Sequence, residues 1–162
     1  MPSWEKTHLQ IAENASERVH CKNYKVGAVL ARENNAVAIG YNGPAKGDVH
    51  CDEVGCARVV DGEEKKRSGK CRGSHAELNA IANAALLGVS IKDCILYVTY
   101  RPCKSCSKQI VNAGIKRVVY LHDYDGDQEV FEYLGRLGVK LEKWDMERDI
   151  QILPEKPKKE DE

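Results

Sequence analysis

Ile95-Leu96-Tyr97-Val98-Thr99-Tyr100-Arg101-Pro102-Cys103-Lys104-Ser105-Cys106 runs from an apolar, β-branched segment straight into a proline and two cysteines. Residues 95–99 read as a strand of the buried type. Pro102 opens a helix carrying Cys103, Cys106, Ile110 and Val111, and Gly114 closes it. The alternation continues downstream. Val118 to Leu121 is a strand, Glu129 to Leu137 a helix with Val130, Leu134 and Leu137 on one side, and Val139 to Trp144 a last strand. Strand–helix alternation implies parallel strands joined by right-handed crossovers.

Upstream, Glu5 to about His20 has helical spacing, with Leu9, Ile11, Ala12, Ala15 and Val19 apolar or small. Lys25 to Ala31 and Asn35 to Gly40 are short apolar runs around Arg32-Glu33-Asn34-Asn35, which predicts an antiparallel hairpin. Periodicity then stops from Tyr41 to Gly73. That stretch holds six of the thirteen glycines and three cysteines, and is expected as a long loop with something internal tying it down. Ser74 is the expected N-cap of a further helix through Leu78, Ile81, Ala84, Ala85 and Leu87, ended by Gly88. The expected architecture is α/β: a three-layer α/β/α sandwich on a mixed five-stranded sheet. Residues 1–150 make one domain, with the loop at 41–73, and 151–162 form a solvated charged tail.

The 162 residues suffice for one sizeable core. Hydrophobic residues are 42% and charged residues 31%, an ordinary composition for a soluble domain. No apolar run approaches the ~20 residues of a membrane span. Formal net charge is zero, which argues against a nonspecific nucleic-acid binder. The N-terminus lacks the basic-then-apolar pattern of a signal peptide, so a cytoplasmic location is expected. Seven cysteines, an odd number, then favour metal ligation over a disulfide framework.

The chemistry is concentrated in Ser74-His75-Ala76-Glu77 and Pro102-Cys103-Lys104-Ser105-Cys106. Cys103 and Cys106 stand at i and i+3, on one face at the start of a helix. A helix N-terminus favours thiolate. His75 with the two thiols makes three ligands, and a catalytic zinc takes three and keeps a fourth position for water. Glu77 lies about 200° around the helix from His75, which suits an acid beside the metal and not on it. Each piece has a plainer reading. Cys-x-x-Cys serves structural zinc and redox motifs, a lone histidine is usually core or surface, and Ser74-x-x-Glu77 is a capping box. The combination, each part opening a helix after a loop, favours catalysis.

These strings, together with Lys25-Val26-Gly27-Ala28-Val29, Gly40-Tyr41-Asn42-Gly43, His75-Ala76-Glu77-Leu78-Asn79-Ala80-Ile81 and Ala113-Gly114-Ile115-Lys116, resemble the cytidine deaminase superfamily. Its signature is H-x-E followed by P-C-x-x-C. The Tyr-Asn-Gly and His-Ala-Glu-Leu-Asn-Ala-Ile strings narrow the resemblance to the deoxycytidylate (dCMP) deaminases, over roughly residues 5 to 145. The resemblance implies a cytidine deaminase-like fold and zinc-dependent hydrolysis of dCMP to dUMP and ammonia, feeding thymidylate synthesis. By it, His75, Cys103 and Cys106 hold Zn2+ and Glu77 moves the protons. It also implies substrate contacts from Asn42, Tyr100 and Tyr124. The plainer readings are a turn pair for Asn42, core packing for Tyr100 and a turn tyrosine for Tyr124. The 5′-phosphate needs a cation, and Lys25, Lys46, Arg101 and Lys104 are candidates. A second, structural zinc on Cys21, Cys51, Cys56 and Cys71 follows from the same resemblance, with His50 as a substitute and free thiols as the plainer reading. So do a homo-oligomer, dimer or hexamer, and Mg2+ accompanying a regulatory nucleotide. The family pattern Tyr-Asn-Gly-x-Pro-x-Gly differs here: Pro44 stands one place early in Tyr41-Asn42-Gly43-Pro44-Ala45-Lys46-Gly47. Two other functions compete with dCMP deamination. One is deamination of a tRNA adenosine or another nucleoside. The other is a non-catalytic, zinc-stabilised interaction module, against which the intact Glu77 speaks.

Overall fold

The computed structural model describes residues 1–65 and 68–156. Helix α1 (Trp4–Ser16) is capped by Ser3, whose hydroxyl accepts the Lys6 N–H. It stops short of the expected His20. Glu17, Arg18 and Val19 donate to carbonyls three residues back, so the last turn tightens and ends, while Val19 still packs into the core. Strands β1 (Gly27–Arg32) and β2 (Asn35–Tyr41) form the expected hairpin. Glu33 and Asn34 both take positive φ, the geometry of a two-residue type I′ turn. The aperiodic segment contains a one-turn helix, α2 (Cys51–Val54), and a small hairpin of β3 (Val59–Val60) and β4 (Glu63–Glu64).

Helix α3 (Ala76–Leu87) follows, ended by Gly88 in the left-handed region. Then come β5 (Ile95–Tyr100), α4 (Lys104–Asn112), β6 (Arg117–His122), α5 (Val130–Arg136), β7 (Lys140–Asp145) and β8 (Ile150–Ile152). The main sheet is mixed and runs β2-β1-β5-β6-β7-β8. β5, β6 and β7 are parallel, and the other neighbours antiparallel.

The sheet therefore has six strands and not five. The sixth is three residues long, largely exposed, and formed by pairing on the edge of β7 after a turn, so no apolar pattern announces it. It carries the sheet to Ile152, past the boundary expected at 150. Of the remaining tail, Leu153 and Glu155 are exposed, and residues 157–162 lie outside the described residues.

α1 covers one face, where Leu9 and Ala12 meet Val29, Tyr97 and Val119. α3, α4 and α5 cover the other, where Ala76, Ala80, Ile110, Val130 and Leu134 meet Leu30, Leu96, Val98, Val118 and Tyr120. The result is an α/β/α sandwich of three layers. Two glycines set the approach of helix to sheet. A Cβ on Gly27 would stand 1.8 Å from the Ala12 carbonyl oxygen. One on Gly40 would stand 2.3 Å from the Ala80 nitrogen and 2.4 Å from the Ala76 oxygen.

Backbone cannot yield as a side chain can, so Gly40→Ala must push α3 off the sheet. The expected cost is about 1–3 kcal/mol in chemical unfolding. Gly135→Ala, in α5 with open space around the new methyl, is expected to stabilise by about 0.5–1 kcal/mol in the same measurement.

Candidate metal centre and active site

Both ligand segments begin helices at one end of the sheet. His75 is the N-cap of α3, and Cys103 the N-cap of α4 with its sulfur accepting the Cys106 N–H at 3.4 Å. Ser74 is not the cap expected of it. Its N–H and carbonyl are both paired with Gly43, at 2.7 and 3.1 Å, in an isolated antiparallel bridge. That bridge closes the base of the 43–74 loop, and with the Ser74 N–H already taken, the capping-box role for Glu77 is excluded.

The His75 Nδ1 lies 3.5 Å from the Cys103 sulfur and 3.2 Å from the Cys106 sulfur. Ligand atoms of the three residues fall within 4.8 Å of one another, the one such group of three or more donors among the described residues. His75 is exposed, Cys103 half-buried and Cys106 buried, so the cluster is open on one side. Glu77 is 4% exposed and lies against Cys106.

The Cys106 thiol bonds to Cys103 and holds it well below the usual thiol range, with His75 helping against burial. The same contact, with burial, drives Cys106 up. Bonding to Cys103 raises His75. Burial pushes the Glu77 carboxyl up to about 7. Bound to a divalent cation, cysteine ligands are thiolates. Two sulfurs, one imidazole nitrogen and an open side are the donor set of a catalytic zinc.

The cluster borders a cleft of about 1060 Å³ lined by His75, Cys106, Asn42, Lys46, Asn79 and Asn83 among others. Asn42 is on its wall, yet both ends of its amide serve the chain entering β1. Its Oδ1 accepts the Val26 N–H at 2.7 Å and its Nδ2 donates to the Tyr24 carbonyl at 3.1 Å. The Lys46 Nζ is held by the Asn83 Oδ1 at 3.0 Å.

Other expected contacts lie elsewhere. Lys25 and Tyr100 line a separate hollow of about 390 Å³ with Thr99 and His122, because they sit at the α1 side of the strand ends. Tyr100 is tilted over His122 at 5.0 Å. Tyr124 sits beside the cluster: its hydroxyl donates to the Pro102 carbonyl at 3.4 Å and its ring covers the Arg101 guanidinium. Burial raises the Tyr124 hydroxyl, and charge on Asp127, Cys103 and Glu77 adds to the shift. Arg101 is buried and spent on main-chain carbonyls, so it is unable to meet a phosphate. The Lys104 ammonium lies over the Tyr133 ring.

Cys21, Cys51, Cys56 and Cys71 do not gather to the spacing of the first cluster. The Cys51 sulfur accepts from Arg72 at 3.6 Å, the Arg58 N–H holds the Cys56 thiol below its usual range, and Cys71 is exposed. His50, the substitute, stacks on His20 at 4.0 Å. No role was expected of Asn83, nor of Asn79 beyond its place in the His75–Ile81 string. They bond from α3 to the Tyr41 and Ile39 carbonyls at 2.8 Å each. Their four-residue spacing on α3 is the signal that could have found them.

Comparison with known proteins agrees with this geometry. Deoxycytidylate deaminase of Schizosaccharomyces pombe is 37% identical over 144 residues, 88% of this chain and 44% of that protein. The ComE operon protein 2 of Bacillus subtilis is 34% identical, over 96% of this chain and 79% of its own. The chain spans less than half the length of the two yeast deoxycytidylate deaminases it matches, 44% and 48%. Among solved structures, the dCMP deaminase of cyanophage S-TIM5 in complex with dCMP and dUMP superposes with a TM-score of 0.74 at 32% identity. It covers 88% of this chain and 98% of its own. The pattern described as the cytidine and deoxycytidylate deaminase zinc-binding region matches residues 2–122 and so takes in both ligand segments; the chain belongs to that family.

Proposed function

We propose that this chain hydrolyses dCMP to dUMP and ammonia. The observation that carries the reading is the open His75/Cys103/Cys106 cluster with a buried acid beside it, at the edge of a cleft. The choice of dCMP is supported by the cyanophage relative, solved with dCMP and dUMP. Self-association belongs to the same reading, and the exposed Leu86, Leu87 and Ile39 support it. The catalytic unit is the domain expected at 1–150, lengthened to Ile152 by β8.

His75, Cys103 and Cys106 would hold Zn2+, which supplies Lewis-acid activation of a water, lowering its pKa toward ~7. Glu77 does the proton work. Its carboxyl, pushed up to about 7 by burial, can both take and give a proton near neutrality. It takes one from the attacking water and gives it to N3 of the pyrimidine. As the C4–N4 bond breaks, Glu77 passes the second proton, from the hydroxyl now on C4, to N4, and the nitrogen leaves as ammonia. The water's oxygen stays on C4, which balances dCMP and water against dUMP and ammonia. Asn42 holds the 24–26 backbone in place on the cleft wall, where the sugar would lie. Lys46, on the cleft wall, and Lys25, in the separate hollow with Tyr100, are the cations offered to the phosphate. Tyr124 borders the base.

Ammonia release from dCMP, CMP, dCTP, deoxycytidine and a tRNA anticodon stem tests the substrate. The expected result is turnover of dCMP above the rest, and turnover of the tRNA stem alone would sink the reading. Adding dCTP or dTTP with Mg2+ to the same assay tests nucleotide control.

Glu77→Gln is expected to lower kcat by about 100-fold or more, as for loss of a positioned acid–base group, while zinc stays bound. Unchanged turnover would remove Glu77 from the proton transfer, and a wild-type chain that binds zinc but turns over no substrate would point to a binding module.

Zinc content by mass spectrometry is expected at one equivalent per chain, lost in Cys103→Ser and Cys106→Ser. A second equivalent that vanishes in Cys56→Ser and Cys71→Ser would mean that Cys21, Cys51, Cys56 and Cys71 hold an ion of their own.

A further inference from the structure

We propose that Arg101 and Asp127 are positioning residues, a clamp that fixes the Cys103 turn and the Tyr124 ring at the metal centre. The proposal rests on the zinc reading above. Arg101 is 2% exposed, among the most deeply buried large side chains of the protein. Its fork is turned onto main-chain carbonyls. Nη1 donates to Asp127 at 3.0 Å, and Nη2 donates to Tyr124 at 2.9 Å and Gly126 at 2.8 Å. Its Cζ lies 4.3 Å from the Tyr124 ring centroid and 4.9 Å from that of Phe131. Its Nε stands 3.4 Å from the Asp123 carboxylate, and is without a hydrogen-bond partner among the described residues.

The other half of the clamp comes back from the loop. The Asp127 carboxylate accepts the Lys104 N–H at 3.0 Å, the first N–H of α4. Arg101 and Lys104 stand on either side of Pro102-Cys103, so the 123–127 loop grips the ligand turn at both shoulders. Asp127 does this with φ at +47°, a left-handed conformation that a non-glycine residue adopts when its surroundings over-determine it. The Ser107 hydroxyl donates to the Cys103 carbonyl at 2.8 Å and closes the turn from below.

A buried guanidinium is an expensive way to hold a loop, since an apolar side chain would fill the same space without desolvating a charge. What the guanidinium adds is direction. Its planar donors fix several carbonyls at once, and a point charge has no such fork. Groups that orient metal ligands from the next layer out typically govern metal affinity or activity by about 10–100-fold.

The test is cobalt(II) titration of the metal-free 162-residue chain and its variants. It reads the visible ligand-field spectrum and the dissociation constant in competition with a chromophoric chelator, with Tm measured alongside. Wild type is expected to take one cobalt with the intense bands of a tetrahedral thiolate site. R101K, which keeps the charge but loses the fork, is expected to bind about 10–100-fold more weakly with shifted bands. D127A is expected to behave likewise, and D127N, which keeps an acceptor for Lys104, to recover most of that loss. R101K and D127A that keep wild-type affinity and spectrum, whatever their Tm, overturn the clamp. Should the Arg101 variants fail to fold, the comparison of D127A with D127N decides by the same criterion. A wild-type chain that takes up no cobalt overturns the metal reading itself, and the clamp with it.

Discussion

Backbone against backbone, Gly40 of β2 beneath Ala76 and Ala80 of α3, is the contact from which the site takes its height above the sheet. The first turn of α3 carries His75 and Glu77, so the approach of that helix sets where imidazole and carboxyl stand. Two asparagines one turn apart then fix the helix along the strand by bonding to β2 carbonyls. With no side chain between them, helix and strand have little freedom to slide. Small residues at Gly40, Ala76, Ala80 and Ala84 are what this closeness requires.

Against that frame, the second ligand pair arrives from a parallel crossover. β5 and β6 run side by side, and α4 begins at the C-terminal end of β5. Ligand sites in such sheets collect beyond the carboxyl ends of the strands, where helices start. Each helix presents its positive end there. The site is thus biased toward negative charge before any ion is considered. The two sulfurs are placed to supply that charge, while burial pushes the Glu77 carboxyl up to about 7.

Beyond the ligands, the strand ends are built on buried cations. Asp123 accepts from Tyr120 and pairs with Lys143 at 3.0 Å, while Arg101 spans the loop that follows it. Glu155 reaches back to Lys143, so the chain after β8 is tied to this same corner. Charges inside a protein are costly unless satisfied, and these are satisfied mainly by one another and by main-chain carbonyls. The corner is therefore rigid where the metal-bearing turn needs support.

The sequence alone determined the layered α/β class, the hairpin, the parallel C-terminal strands and the pairing of His75 and Glu77 with Cys103 and Cys106. Those features are written in periods of two and 3.6 and in short fixed spacings, which neighbouring residues along the chain enforce. It could not announce β8, whose three exposed residues are a strand because β7 offers an edge. Nor could it sort the cations. Arg101 and Lys46 look alike in a list of basic residues, yet one is buried under aromatic rings and the other stands on the cleft wall. Which of them is free to meet a ligand depends on carbonyls and rings some 20 to 40 positions away in the chain, and only folding brings those within reach.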